Sequence, residues 1–180
     1  EVAQGTEFKL YSSYEEILDN PFTYGTYYVV SFSQSLKGLV PGAPVEFRGI
    51  QVGKVERLLL KESIGQSGSG DEGKGAPIPV LIYIEPGRME LPDKKSSIAV
   101  MRRSIAIGVT NGMRASLESG SLITGAKYVN VDYFPGVEKA SLGKFMEYTT
   151  IPTIDTGLVR LEQKVFSILD TIDSLPLDDT

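Results

Sequence analysis

Residues 38–55 read GLVPGAPVEFRGIQVGKV, and this stretch indicates the fold more clearly than any other part of the chain. Four glycines and two prolines separate short runs of residues that favour β-strands. Pro41-Gly42 predicts a tight turn, because proline presets φ and glycine accepts a positive φ. Two short strands should follow, joined at Arg48-Gly49 by a kink or bulge. Their apolar positions are Val45, Phe47, Ile50, Val52 and Val55. The stretch therefore predicts a small, twisted, all-β unit.

The composition is that of a globular protein with a modest negative charge. The chain has 180 residues, of which 41% are hydrophobic, and this is enough to bury a core of ordinary size. Its net charge is -5 and its sequence pI is about 4.9. The basic residues are scattered, with Arg102-Arg103 the only adjacent arginine pair. The sequence therefore predicts no nucleic-acid partner, because such a partner normally requires a basic patch.

The chain contains neither cysteine nor histidine. This excludes a disulfide framework, a thiolate nucleophile, a Cys/His metal site and a Ser–His–Asp triad built from this chain alone. Gly68-x-Gly70-x-x-Gly73 matches the dinucleotide fingerprint in letters, but Pro77 and Pro79 follow it where a helix would have to begin. We therefore expect no catalytic residues, no bound metal and no cofactor, and we expect that the protein is not an enzyme.

Strand-like segments alternate with turns over the middle of the chain. The segments are Tyr27–Phe32, Val45–Phe47, Ile50–Leu60, Ile78–Ile84, a weaker one near Ile98–Met101, Met113–Leu117 and Tyr128–Tyr133. Residues 104–111 are compatible with helix or strand. Residues 63–77 carry five glycines and predict a flexible, solvated insertion. We expect a linker from a preceding domain at 1–26, a barrel domain at 27–136, and a linker with a helix at 137–180.

The apolar period changes near the C-terminus. The spacing 3, 4, 3, 4, 3 is typical of the a/d seam of a coiled coil. The residues with this spacing are Leu158, Leu161, Val165, Ile168, Ile172 and Leu175. A seam this short is also compatible with an amphipathic helix that packs on its own domain. Association of several helices is the alternative, in which the seam joins subunits.

The loop at residues 118–125 carries Leu122 and Ile123 between flanking glycines. A polar hairpin needs neither residue. One interpretation is that the two side chains fold back and cap the barrel, because apolar loop residues usually find a core. The other is an exposed apolar pair that needs a partner or ligand.

Two blocks of the sequence resemble the MCE (mammalian cell entry) domain family. The first block is residues 38–55. The second contains GMRASL, SLITG and YVNVD between residues 112 and 132, and it is most similar to the paraquat-inducible protein B and tandem-MCE branch. Residues 5–11 are similar to segments between successive MCE domains of that branch. With the helix that follows Pro152, the chain resembles the C-terminal MCE domain of such a protein.

The resemblance implies a small seven-stranded β-barrel, followed here by the amphipathic helix. It also implies a homohexameric ring whose pore is lined by Leu122 and Ile123. Such rings conduct phospholipid or other lipid through the bacterial periplasm between the inner and outer membranes. The implied partners are neighbouring MCE domains and an inner-membrane protein. The alternative function is a structural spacer ring that conducts no lipid.

The sequence has no apolar stretch of the ~18 residues that would suggest a membrane span. It begins at Glu1 without a methionine. We therefore expect a soluble piece of a longer protein, anchored to the inner membrane through a segment outside this chain.

Overall fold

A computed structural model describes residues 22–61, 76–121 and 123–155. Within these ranges the protein is mostly β, with eight strands in one curled sheet and one α-helix of 16 residues. The elements are β1 (Thr26–Phe32), β2 (Pro44–Phe47), β3 (Ile50–Leu58), β4 (Ile78–Ile84), a 3-10 helix (Pro86–Met89), α1 (Lys95–Thr110), β5 (Met113–Ser119), β6 (Lys127–Tyr133), β7 (Gly143–Phe145) and β8 (Tyr148–Thr150).

The strand order is β5-β6-β2-β3-β4-β1-β8-β7. Two neighbouring pairs, β2–β6 and β1–β8, are parallel, and the other five are antiparallel. Irregular registers in β2–β3 and β3–β4 mark bulges, which bend a sheet and increase its twist. Phe47 pairs with Ile50, so Arg48-Gly49 forms a two-residue hairpin turn. Arg48 has φ 52° and Gly49 has φ 83°, as the favoured hairpin turn requires.

The segment after β8 joins the two sides of the curled sheet. The Ile151 amide donates to the Val29 carbonyl of β1 at 3.0 Å. The Ala115 amide of β5 donates to the Pro152 carbonyl at 3.0 Å, and the Ile154 amide donates to the Ala115 carbonyl at 2.9 Å. The sheet therefore curls around an interior and is completed by this segment.

The core fills the inside of the curl. Alternate residues of each strand point inward, as the period of a strand requires. The innermost side chains include Val30, Phe32, Val45, Val55, Val80, Ile82, Val129 and Ile151. A smaller cluster of Val29, Leu59 and Leu81 lies apart from this core and is covered by Phe145 and Tyr148.

Helix α1 packs on the core through Met101, Ile105 and Val109. Their spacing of four residues places them on one helical face. The chain leaves the helix at Asn111 and Gly112, and Gly112 has φ 97°, which suits glycine after a helix C-terminus. The prediction of a strand near Ile98–Met101 is therefore wrong, because these residues lie in α1. Burial of the apolar face of the helix outweighs the preference of the β-branched residues in this segment for strands.

The sheet has eight strands within the described residues, where the sequence predicted seven. β7 and β8 lie beyond residue 136, where we expected the barrel to end. Each has only three residues and no apolar alternation, so neither gave a strand signal. The predicted C-terminal helix, residues 1–21 and residues 62–75 of the glycine-rich insertion lie outside the described residues.

Searching the described helices for a segment both long and apolar enough to cross a membrane finds none.

Asp93 holds the chain where it leads into β1. Its carboxylate accepts the Thr23 amide at 2.9 Å and the Tyr24 amide at 3.0 Å. The Thr23 amide is the main reason that the pKa of Asp93 is lowered, and the Tyr24 amide adds to it. Because the pKa is lower in the folded state, the charged carboxylate stabilises this arrangement at pH values above the unfolded-state pKa of about 3.9. The stabilisation is lost as the pH falls through the folded-state pKa.

We therefore expect the amide signals of Thr23 and Tyr24 to titrate together in NMR spectra, with a midpoint below about 3.9. The Asp93→Asn variant should abolish that titration while leaving the barrel folded. A midpoint at the ordinary aspartate value would show that the two hydrogen bonds do not form in solution.

Candidate functional site

The loop at 118–125 extends from the rigid β5–β6 hairpin. The two strands pair over their whole length, from Met113–Tyr133 to Ser119–Lys127. Ala115 and Val129 are fully buried and hold both strands in the core. The Gly120 amide continues the ladder by donating to the Ala126 carbonyl at 2.9 Å. The base of the loop is therefore fixed by the barrel.

The tip of the loop satisfies several of its own backbone groups. The Gly125 amide donates to the Ser121 carbonyl at 3.0 Å, and the Thr124 amide donates to Ser121 Oγ at 3.2 Å. The Ala126 amide donates to Thr124 Oγ1 at 3.3 Å. Gly125 has φ 69°, which glycine adopts without strain. These contacts define a compact turn.

Gly38 braces this turn from the loop that follows β1. Its carbonyl accepts the Lys127 amide at 2.9 Å, and Lys127 Nζ donates to the Ser35 carbonyl at 2.6 Å. Gly38 has φ 92°, and a Cβ built there would lie 1.9 Å from the Gly125 carbonyl oxygen. Only glycine permits this approach. The two sequence blocks are thus in direct contact, which the sequence analysis did not predict.

Ile123 lies at the tip with 98% of its surface exposed. It does not fold back onto the barrel of its own chain. The other predicted tip residue, Leu122, lies outside the described residues. Other apolar residues are exposed as well, but the next most exposed large one, Ile50, is at 63%. An isoleucine this exposed on a braced loop is available to an apolar partner or ligand.

The surface near the base of the loop is of mixed polarity and carries both acidic and basic side chains. A recess of about 470 Å³ there is lined in part by Glu46, Ser121, Lys127 and Tyr128. Burial raises the pKa of the Tyr128 phenol, and the charges of Glu46 and Glu118 raise it further. The loop thus carries an apolar tip above a base that includes charged and hydroxyl groups.

The structure describes one of the predicted site residues. Ile123 is placed on the tip, but all six predicted seam residues between 158 and 175 lie outside the described ranges. Sequence reasoning missed the bracing residues Gly38 and Lys127. The available signal was the glycine that opens the first block, but nothing local indicates what it contacts. Across residues 22–61, 76–121 and 123–155, no group of three or more acidic side chains could hold a metal ion.

Two comparisons with known proteins bear on the chain. A family model described as "MlaD protein" matches residues 24–134, a range that includes the tip and its brace. A chain of the solved structure "Acinetobacter MlaFEDB complex in ATP-bound Vtrans1 conformation" is similar at 16% identity and a TM-score of 0.40. That match covers 80% of this chain and 82% of the other.

Proposed function

Since the chain belongs to the MlaD (MCE) family, whose model matches more than half of its residues, we propose that it is a lipid-transport component of the bacterial envelope and not an enzyme. The family match agrees with the resemblance of the two sequence blocks. The more specific resemblance to the C-terminal domain of a paraquat-inducible protein B-like chain remains part of the proposal.

The observation that carries the proposal is the exposed Ile123 on a loop fixed at both ends. A lipid tail in water needs an apolar surface to follow, because each methylene exposed to water costs about 0.8 kcal/mol. The hydrogen bonds at Gly38 and Ser121 define the shape of the turn, and in that shape Ile123 is exposed and is not buried on its own domain. The tip is therefore suited to contact a lipid tail.

One isoleucine is too small a surface for an acyl chain, so we propose that several copies combine their tips. In a homohexameric ring, six copies of Leu122 and Ile123 would line a central pore. The Leu122 and Ile123 side chains carry no polar group whose bound water a tail would have to displace, which favours passage. The predicted helix seam from Leu158 to Leu175 would extend this apolar path as a tube.

The location and partners follow from the same proposal. The ring would lie in the periplasm, next to an inner-membrane partner protein and any neighbouring MCE domains, and it would be anchored through a segment outside this chain. Phospholipid is the proposed substrate class. No cofactor is required, because passage of a lipid along an apolar surface breaks no bond.

A structural spacer ring is the second candidate. A spacer needs subunit contacts but no apolar pore lining, so it gives no reason for an isoleucine at the tip of a braced loop with 98% of its surface exposed in the single subunit. The exposed tip therefore favours lipid conduction over a spacer.

Electron microscopy of the chain with its adjoining domains tests the ring directly. We expect six-fold symmetric particles with a central opening. Monomers or dimers under all conditions would contradict the ring.

A Val165→Asp/Ile168→Asp variant tests the predicted helix seam. We expect it to disrupt helix association but keep the β-type circular dichroism spectrum. Loss of the β-type spectrum in the variant would show that the helix packs on its own barrel.

A further inference from the structure

An apolar cavity of about 220 Å³ lies between α1 and the inner face of the sheet. Ten residues line it, and all except Ser104 are hydrophobic or aromatic. Protein interiors rarely leave a space larger than one water molecule. An engineered apolar cavity of about 150 Å³ in another protein stays dry and binds benzene. A space of this size and chemistry therefore suits an apolar ligand.

The cavity is distinct from the tip of the 118–125 loop. Met113 and Tyr133, which line it, pair with each other at one end of the β5–β6 hairpin, and the tip lies at the other. The seven paired positions of the hairpin are separated by six steps of about 3.3 Å each, so its two ends lie about 20 Å apart. A ligand in the cavity would therefore not contact Ile123.

The mouth of the cavity lies at its two exposed lining residues. Ser104 is exposed on α1, and Tyr133 is 44% exposed at the end of β6. The Tyr133 hydroxyl lies against α1, because a Cβ built at Gly108 would be 3.2 Å from it. Both residues carry hydroxyl groups, whereas the deeper lining, such as Val52 and Ile151, is aliphatic and buried. The arrangement suits a ligand with an apolar end inside and a polar end outside.

Two methionines make the lining adaptable. Met89 and Met113 line the cavity, and a methionine side chain adjusts to irregular shapes more easily than a branched one. Gly108 leaves room for this, since a Cβ there would lie only 2.4 Å from the Met113 methyl carbon. The helix and the methionine can thus pack closely while the methionine retains freedom on its cavity side.

We propose that this cavity binds the end of a single acyl chain, with the polar end of the ligand beside Ser104 and Tyr133. The choice of an acyl chain rests on the proposed lipid-transport function. The cavity would hold one tail end while the polar group stays in water, and it would be a second lipid contact on the same domain.

The test uses the four methionine methyl groups of the chain as NMR probes. The full chain, labelled with ¹³C at the methionine methyls, is titrated with decanoate below its critical micelle concentration. We expect saturable shifts of the Met89 and Met113 signals. Met101, which is buried outside the cavity lining, and Met146, which is 54% exposed, should stay unchanged. Absence of a shift at Met89 and Met113, or equal shifts at Met146, would overturn the proposal.

A matched pair of variants then locates the mouth. Ser104→Phe places a ring over the opening and should weaken decanoate binding about tenfold, the factor expected when two methylenes are kept out of the cavity. Arg103→Phe adds the same ring at the neighbouring exposed position, which does not line the cavity, and should leave binding unchanged. Equal affinity in both variants would contradict the assigned mouth. Both positions are exposed, so neither ring has to enter the core.

Two further outcomes separate this site from the proposed transport function. Lipid contact at Ile123 with no decanoate response at Met89 and Met113 would refute the cavity site and leave the transport proposal standing. Decanoate binding in a protein that transfers no lipid would support the cavity and refute transport. If deletion of residues 156–180 is needed before decanoate binds, the chain itself occupies the cavity and the proposal fails.

Discussion

Replacing Ile123 with asparagine should abolish lipid transfer between donor and acceptor vesicles while the melting temperature stays within about 2 °C. Its side chain is 98% exposed, so the substitution removes almost no packing from its own subunit. In the proposed ring the same change places six amide groups in the apolar lining. Each amide holds water that a passing tail would have to displace, which raises the barrier to transfer.

Ile50→Asn is the matched control for this experiment. Ile50 is also an exposed isoleucine, at 63%, but it lies at the β2–β3 turn and not on the 118–125 loop. It should reduce neither the melting temperature nor lipid transfer appreciably. A large fall in the melting temperature of the Ile123 variant would instead favour the interpretation that the tip caps a barrel. Unchanged transfer in that variant would refute its role in the pore.

Gly38→Ala, which adds a single methyl group, should lower the stability of the protein more than the same substitution at Gly42. The left-handed conformation at φ 92° costs a residue with a side chain about 1–2 kcal/mol. In addition, the new Cβ would lie 1.9 Å from the Gly125 carbonyl oxygen, so the brace has to open. We expect a total loss of about 2–4 kcal/mol in the free energy of unfolding. We also expect large chemical shift changes at Gly125 and Lys127.

Gly42→Ala separates the two causes. Gly42 has φ 87°, close to that of Gly38, but no described atom lies within 4 Å of its Cβ position. It should lose only the conformational contribution of about 1–2 kcal/mol and should leave the signals of the tip unchanged. Equal losses in the two variants, measured by denaturant unfolding, would mean that Gly38 does not brace the loop.

The sequence predicted the strands that have strong local signals. Ile78–Ile84 has the predicted bounds, and Tyr27–Phe32 differs from β1 by one residue. β-branched and aromatic residues concentrate in both, and turn residues bound them. Both strands also lie in the middle of the sheet, where tertiary packing reinforces the local preference.

The elements that the sequence did not predict depend on distant contacts. Helix α1 forms because Met101, Ile105 and Val109 pack on the core inside the curled sheet. β8 forms because β1 offers it an edge, and Ile151 then enters the core. Strands as short as β7 and β8, with three residues each, carry no periodic signal of their own. Their structure is set by the rest of the barrel.

The candidate site divides in the same way. The composition of the 118–125 loop singled out Leu122 and Ile123, but it left open whether they cap the barrel or are exposed. The exposure of Ile123 is known only from the structure. The brace at Gly38 could not be predicted, since it joins two blocks that are far apart in the chain. A glycine with a positive φ indicates a special backbone position but not the group that approaches it.

Photocrosslinking at position 123 is the most direct test of the claim that the loop tip contacts lipid. A photoreactive residue replaces Ile123 in the protein expressed in its bacterial envelope, and a second protein carries the same residue at Ile50 as the control. After irradiation, the attached molecules are identified by mass spectrometry. We predict phospholipid attached at position 123 and little or none at position 50. Equal attachment at both positions, or only protein attached at position 123, would contradict a lipid-contacting tip.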